Sequence, residues 1–326
     1  MNKAVLSSAV LAVLTSGSAL AATVYKADGT EFKVGGRVEF RGDFIGTSKG
    51  AEIEGTMDDK TRARLNLKGK TEIQDGMSAF AVYEAEQSTG DSEFENRYMY
   101  AGVDFDGQAF SVGRQDMASV IVSDMTDITE FSGVQQAINA SSDKEDSVIA
   151  YRGGFDSLQL EVTYQANSEK DADGYSLAGL YSAPMGLDIG LAYSAAEKGN
   201  LDDSQVLVGL GYTLDNLYLA GTYSKGDNEV KKGEGSEFTA YELAAQYKFT
   251  KQFSAAVLYK YQENEASDGT KADATDGVEI AGYYKFNSNF RTYVSYFING
   301  ISEVKNTDGL VTAGEDTLRL GARYDF

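Results

Sequence analysis

The chain has no cysteine, no histidine and no tryptophan, and one proline in 326 residues. Each absence removes a class of chemistry. Without imidazole or thiolate there is no Ser-His-Asp triad, no Cys-His pair and no zinc site of the common kinds. Only carboxylate- or lysine-based enzymes stay open. Without cysteine an exported chain has no disulfides, so its stability must come from elsewhere, and a closed barrel supplies it. The single Pro184 falls in a turn. Proline is excluded from strands that pair on both sides, so its scarcity fits a chain of strands with no free edge.

Long apolar runs are also missing. Met1 to Ala21 reads as a secretory signal, with Lys3 as the positive region, Ala4 to Leu14 as the apolar stretch and Ala19-Leu20-Ala21 as the cleavage site. That stretch is far shorter than the roughly 20 residues of a transmembrane helix, and no other segment qualifies. The expected division is therefore 1–21 signal and 22–326 barrel. Loss of Lys3 takes the formal charge from −21 to −22, which argues against nucleic acid as a partner.

What is present is alternation. Leu318, Leu320, Ala322, Tyr324 and Phe326 alternate with Arg319, Gly321, Arg323 and Asp325, the period-two pattern of a strand with one apolar face. The pattern recurs along the chain. Ala63, Leu65 and Leu67 oppose Arg62, Arg64, Asn66, Lys68 and Lys70, a polar face that no packed interior accepts and a water-filled one does. Sixteen such segments are predicted, with aromatic residues at the ends of their apolar faces. Short turns such as Gln74-Asp75-Gly76 and Leu214-Asp215-Asn216 alternate with longer acidic connections such as Ala195 to Asp203, Lys225 to Glu237 and Glu265 to Thr275. These features predict an all-β fold, a 16-stranded antiparallel transmembrane barrel with tight turns at one rim. A secreted sandwich or solenoid is the competing architecture, and its strands are shorter.

A barrel of that size encloses an aqueous channel. Regularity lapses from Asp116 to Glu145, and this longest connection is predicted to fold inward as a constriction loop. It carries Asp116, Asp124, Asp127 and Glu130. On the neighbouring strands Arg37, Arg64 and Arg97 take the inward phase, opposite Val38, Leu65 and Tyr98, and Lys144 precedes the next strand. Carboxylates facing guanidinium groups would set a transverse field across the narrowest point.

Three segments carry a resemblance: Ala63-Arg64-Leu65-Asn66-Leu67-Lys68-Gly69, Val112-Gly113-Arg114 leading into the inserted loop, and Glu130-Phe131-Ser132-Gly133. With the terminal Tyr-x-Phe, Tyr324 and Phe326, they make the chain resemble the trimeric general porins of Gram-negative outer membranes over essentially the whole mature length. The resemblance implies a basic wall of Arg37, Arg64, Arg97 and Lys144, acidic loop residues at Asp127 and Glu130, and a loop motif at Phe131 and Gly133. It implies a homotrimer in outer-membrane lipid and lipopolysaccharide, and a final Phe326 read by the barrel-assembly machinery. The activity implied is passive diffusion of ions and small hydrophilic solutes, with no cofactor and no enzymatic step, and the acidic mouth adds the expectation of a weak cation preference. The chain lacks the family's Pro before Glu130, and its second loop, Ser88 to Glu93, is short. A surface adhesin or structural barrel is the alternative function. A sugar-specific pore is disfavoured because Tyr and Phe lie mostly on the outward phase.

Overall fold

The computed structural model describes residues 21–46, 57–166, 172–198, 201–231, 234–301 and 314–326. All of the expected signal except Ala21 lies outside them, as does most of the connection from Asn299 to Glu315. The strands are β1 (Ala22–Ala27), β2 (Thr30–Ile45), β3 (Met57–Asp59), β4 (Arg62–Gln74), β5 (Met77–Ser88), β6 (Glu95–Phe105), β7 (Gln108–Gln115), β8 (Glu145–Phe155) and β9 (Leu158–Gln165). The second half holds β10 (Gly174–Ser182), β11 (Leu187–Lys198), β12 (Leu201–Leu214), β13 (Leu217–Lys231), β14 (Glu234–Lys248), β15 (Phe253–Ala266), β16 (Lys271–Lys285), β17 (Phe290–Asn299) and β18 (Thr317–Asp325).

Each strand pairs antiparallel with its sequence neighbour, and β18 returns to pair with β2, from Arg37 against Asp325 to Ile45 against Thr317. The sheet therefore closes. β3 and β4 lie on the same side of β2 as two pieces of one strand, and β1 is a hairpin appended to the start of β2. Counted this way the ring has sixteen strands. At the seam the Phe326 amide donates to the Gly36 carbonyl at 3.0 Å and Gly36 returns the bond at 2.9 Å, so the last residue completes the ladder.

Period two sorts the side chains as expected. Leu243 and Leu191 are 58% and 59% exposed on the outer face, while their neighbours Glu242, Ala244 and Ala192 are buried. An outward apolar band over a polar inner surface is the arrangement that hydrocarbon demands of a spanning barrel. Tight turns close one rim, and at Asp106-Gly107 both residues take positive φ, 52° and 88°, the geometry whose twist matches a two-residue hairpin.

The long acidic connections differ from expectation. β13 runs to Lys231 and β14 begins at Glu234, β15 reaches Ala266 and β16 begins at Lys271, and β11 reaches Lys198 with β12 starting at Leu201. These are tall hairpins, not loops. Charged residues interrupt the apolar alternation there, but ladder hydrogen bonds do not need apolar side chains. Lys271 bridges Glu263 at 2.8 Å and Glu265 at 3.2 Å on the facing strand, so the hairpin stays paired in water.

Candidate functional site

The segment between β7 and β8 does not leave the barrel. Its backbone is hydrogen-bonded to the inward residues of one strand after another. The Ala118 amide donates to Thr163 Oγ1 and the Ser119 amide to Ser176 Oγ, both at 3.0 Å. The Tyr218 hydroxyl donates to the Met125 carbonyl at 2.8 Å, and Gln205 Nε2 to the Gln135 carbonyl at 2.6 Å. Further round, Glu242 accepts the Val134 amide at 2.6 Å and the Thr126 hydroxyl, and Glu279 accepts the amides of Glu130 at 2.7 Å and Phe131 at 3.2 Å.

Apolar packing reinforces these bonds. A short helix, α1 (Val120–Ser123), lays Val122 and Met125 against Ala178, Ala192 and Leu207. The wall makes room for them with glycine: a Cβ at Gly209 would lie 2.6 Å from Met125 Sδ, and one at Gly190 would lie 2.9 Å from Val122. Met117 and Ile138 pack on Val148, Ala150 and Phe238 nearby. The buried apolar clusters of the described residues thus lie beneath this segment.

The segment tip is fastened to the opposite strands. Arg319 grips Asp43 with two bonds of 2.7 Å, donates to the Glu130 carbonyl, and lies 3.9 Å from the Phe131 ring centre. Lys260 donates to the Ser132 carbonyl at 2.7 Å and sits 4.6 Å over Phe297, whose ring is 5.6 Å from Phe131. At Gly133 a Cβ would stand 2.5 Å from Glu242 Oε1, so a larger residue would displace the carboxylate that anchors the turn.

Between the segment and the wall lies a polar gap of about 600 Å³. Arg37, Arg41, Arg62, Arg64, Arg97, Arg291 and Arg323 line it with Lys144, Asp127, Glu130 and Asp143. Arg37, Arg64, Arg97 and Lys144 are therefore together, as the sequence suggests, and Arg41, Arg62, Arg291 and Arg323 are additional. These four were legible: each sits on the inward phase of a strand already read as alternating. The arginines are interleaved with carboxylates of their own wall. Arg62 meets Glu39 at 2.7 Å, Arg97 meets Glu84 at 2.8 Å, and Arg64 pairs with Glu86.

The four acidic residues separate. Asp127 is exposed to the gap. Enclosure by the surrounding wall, with Asp143 and Glu279 close by, pushes its carboxyl above the ordinary range. Glu130 also lines the gap but is bonded to Arg41 at 3.0 Å, an anchor for the tip. Asp116 and Asp124 do not line the gap. Asp116 sits at the root, where it accepts the Lys144 amide at 2.9 Å and the Tyr98 hydroxyl at 3.2 Å, tying the two ends of the segment. Asp124 follows α1 and its side chain is exposed.

The phase on β6 also needs correction. Tyr98 points inward, not outward. The β5–β6 register slips between Glu84 and Ala85, pairing Glu84 with Tyr98 and Ala85 with Asn96. This bulge gives Arg97 no partner, so Arg97 and Tyr98 both face the lumen. Tyr283 and Tyr293 also turn inward and bond to the Ile128 carbonyl and to Glu39. Among the described residues no cluster of His, Cys, Asp and Glu is arranged to hold a metal ion.

Comparison with known proteins agrees with this architecture. A family profile described as Gram-negative porin matches residues 7–299. Porin-like protein L of Photobacterium profundum is 33% identical over the full length of both chains, and outer membrane protein U of Vibrio parahaemolyticus is 31% identical over the same extent. Among solved structures, OmpF of Salmonella typhi superposes with a TM-score of 0.80 at 20% identity, covering 94% of this chain and all of that one. OmpT of Vibrio cholerae in its trimer form gives 0.76 at 18% identity, covering 92% and 100%. The closed barrel, its polar lumen and the full-length similarity place this chain in the Gram-negative porin family, as a diffusion channel of the outer membrane.

Proposed function

We propose that segment 116–144 is the constriction of this channel, and that solutes pass through the gap between Asp127 and the arginine-bearing wall. The observation that carries the reading is the continuous fastening of the segment along the inner wall, from Thr163 on β9 round to Arg319 on β18. A segment held at both ends, along its length and at its tip sets a fixed aperture for water, ions and small hydrophilic solutes, with no energy source and no covalent chemistry.

The working unit of this reading is a homotrimer in a lipid and lipopolysaccharide bilayer, delivered through the barrel-assembly machinery with Tyr324 and Phe326 as its signal. Support comes from their exposure, 50% and 41%, at the seam end of β18. A weak cation preference is assigned to Asp127 and to the acidic hairpins at the rim, such as Glu263 and Glu265. Single-channel recording in planar bilayers tests the set. Current in steps of three with a cation-favouring reversal potential supports it, and a folded barrel that passes no current removes it.

A further inference from the structure

The wall of the gap holds more guanidinium charge than its own carboxylates match. On β2 and β4, Arg37 lies directly opposite Arg64, and on β17 and β18, Arg291 lies directly opposite Arg323. Like charges facing each other across a ladder are destabilising unless something lies between them. Carboxylates answer part of this. Glu39 takes Arg62, Glu86 takes Arg64, Glu84 takes Arg97, and Asp325 takes Arg323 through its Nε at 2.7 Å. Glu130 of the inserted segment takes Arg41 at 3.0 Å, and two arginines are left over.

Those two are Arg37 and Arg291. Arg37 reaches only Glu39, at 3.6 Å, and that carboxylate is already held closer by Arg62. The Arg291 side chain makes no hydrogen bond or ion pair among the described residues. In both, the Nε–H is buried without a partner. A buried donor left unmade is costly, and more so when charged. Both side chains line the same gap, on strands separated only by β18, so the two lie roughly 10 Å apart across the sheet.

We infer that Arg37 and Arg291 form a binding subsite for a doubly charged oxyanion, a phosphate or the phosphate group of a small phosphomonoester, inside the gap. The inference rests on the diffusion reading above and names a solute class for it. Guanidinium forks match phosphate oxygens in pairs, and two surplus charges match one dianion. Asp127 on the opposite side of the gap repels such a group toward the arginine wall, so the same field that orients a dipolar solute seats an anion there.

The test uses inorganic phosphate at about pH 8, where it is mostly a dianion. Current through the purified channel in potassium chloride is recorded with rising phosphate, and binding of labelled phosphate to the folded protein in detergent is measured in parallel. The expected result is saturable binding with a matching partial block. The double variant Arg37→Gln/Arg291→Gln should need about tenfold more phosphate for both, while Arg37→Lys/Arg291→Lys retains part of the effect. Heat-dependent gel mobility confirms that each variant is folded. A conducting wild type with neither binding nor block, or a folded Gln variant that binds as wild type does, overturns the subsite. Binding without any current in chloride would keep the subsite and remove the diffusion reading.

Discussion

Arg41 and Glu130 lie 3.0 Å apart, joining the barrel wall to the tip of the segment between β7 and β8. The Arg41 guanidinium also reaches Glu39 at 3.5 Å and the Tyr293 hydroxyl at 3.2 Å, so the tip is tied into the wall's own network. Glu130→Gln keeps the shape and removes the charge. A charge-assisted bond of this kind contributes about 1.5–3 kcal/mol. The expected outcome is a noisier open channel with conductance raised above wild type, read from single-channel traces.

Glu242 is the second anchor. It accepts the Val134 amide and the Thr126 hydroxyl, so Glu242→Ala leaves a buried backbone donor unmade. A loss of about 1–3 kcal/mol is expected, seen as a lower thermal transition of the folded protein. A transition equal to wild type would show that the segment is not held there.

The glycine-lined groove makes a third prediction. At Gly209 even one Cβ would stand 2.6 Å from Met125 Sδ, so Gly209→Leu forces α1 off the wall. Overpacking of this kind costs about 1–3 kcal/mol. The barrel strands themselves are untouched, so the variant should still migrate as a folded barrel while its conductance changes. Unchanged conductance would place the segment's packing elsewhere.

The pH dependence follows from Asp127. Its carboxyl is raised, so on acidification it loses its charge before an ordinary aspartate with pKa of about 3.9 does. Cation preference should fall as pH drops through that raised value and recover on return to neutrality. In Asp127→Asn the step should vanish. Reversal potentials across a salt gradient, taken at several pH values, give the answer.

Much of this was legible in the sequence, because period-two alternation is a direct consequence of lipid outside and water inside. Leu318 to Phe326 shows it, and the structure keeps that phase. The lumen was less legible. Simple alternation places Arg97 inward and Tyr98 outward, and only the bulge after Glu84 lets both face in. The inward faces carry a second signal. Much of the inward phase of β10 to β12 is small, with Ser176, Ala178, Gly190, Ala192, Ser194 and Gly209, and these mark the track on which the inserted segment lies. Acidic hairpins resemble loops in the sequence because charge interrupts alternation without interrupting the ladder. The surplus at Arg37 and Arg291 needs register to be seen, since sequence alone does not say which carboxylate each arginine meets.

The proposed path takes solutes through a gap bounded by Asp127. The chain has no cysteine, so Asp127→Cys introduces a single reactive thiol. Single-channel current of that variant would be recorded before and after a bulky, thiol-specific reagent is added. Stable open currents are expected to fall when the thiol is modified, with wild type unaffected. Current that is unchanged although the thiol is fully labelled would contradict it.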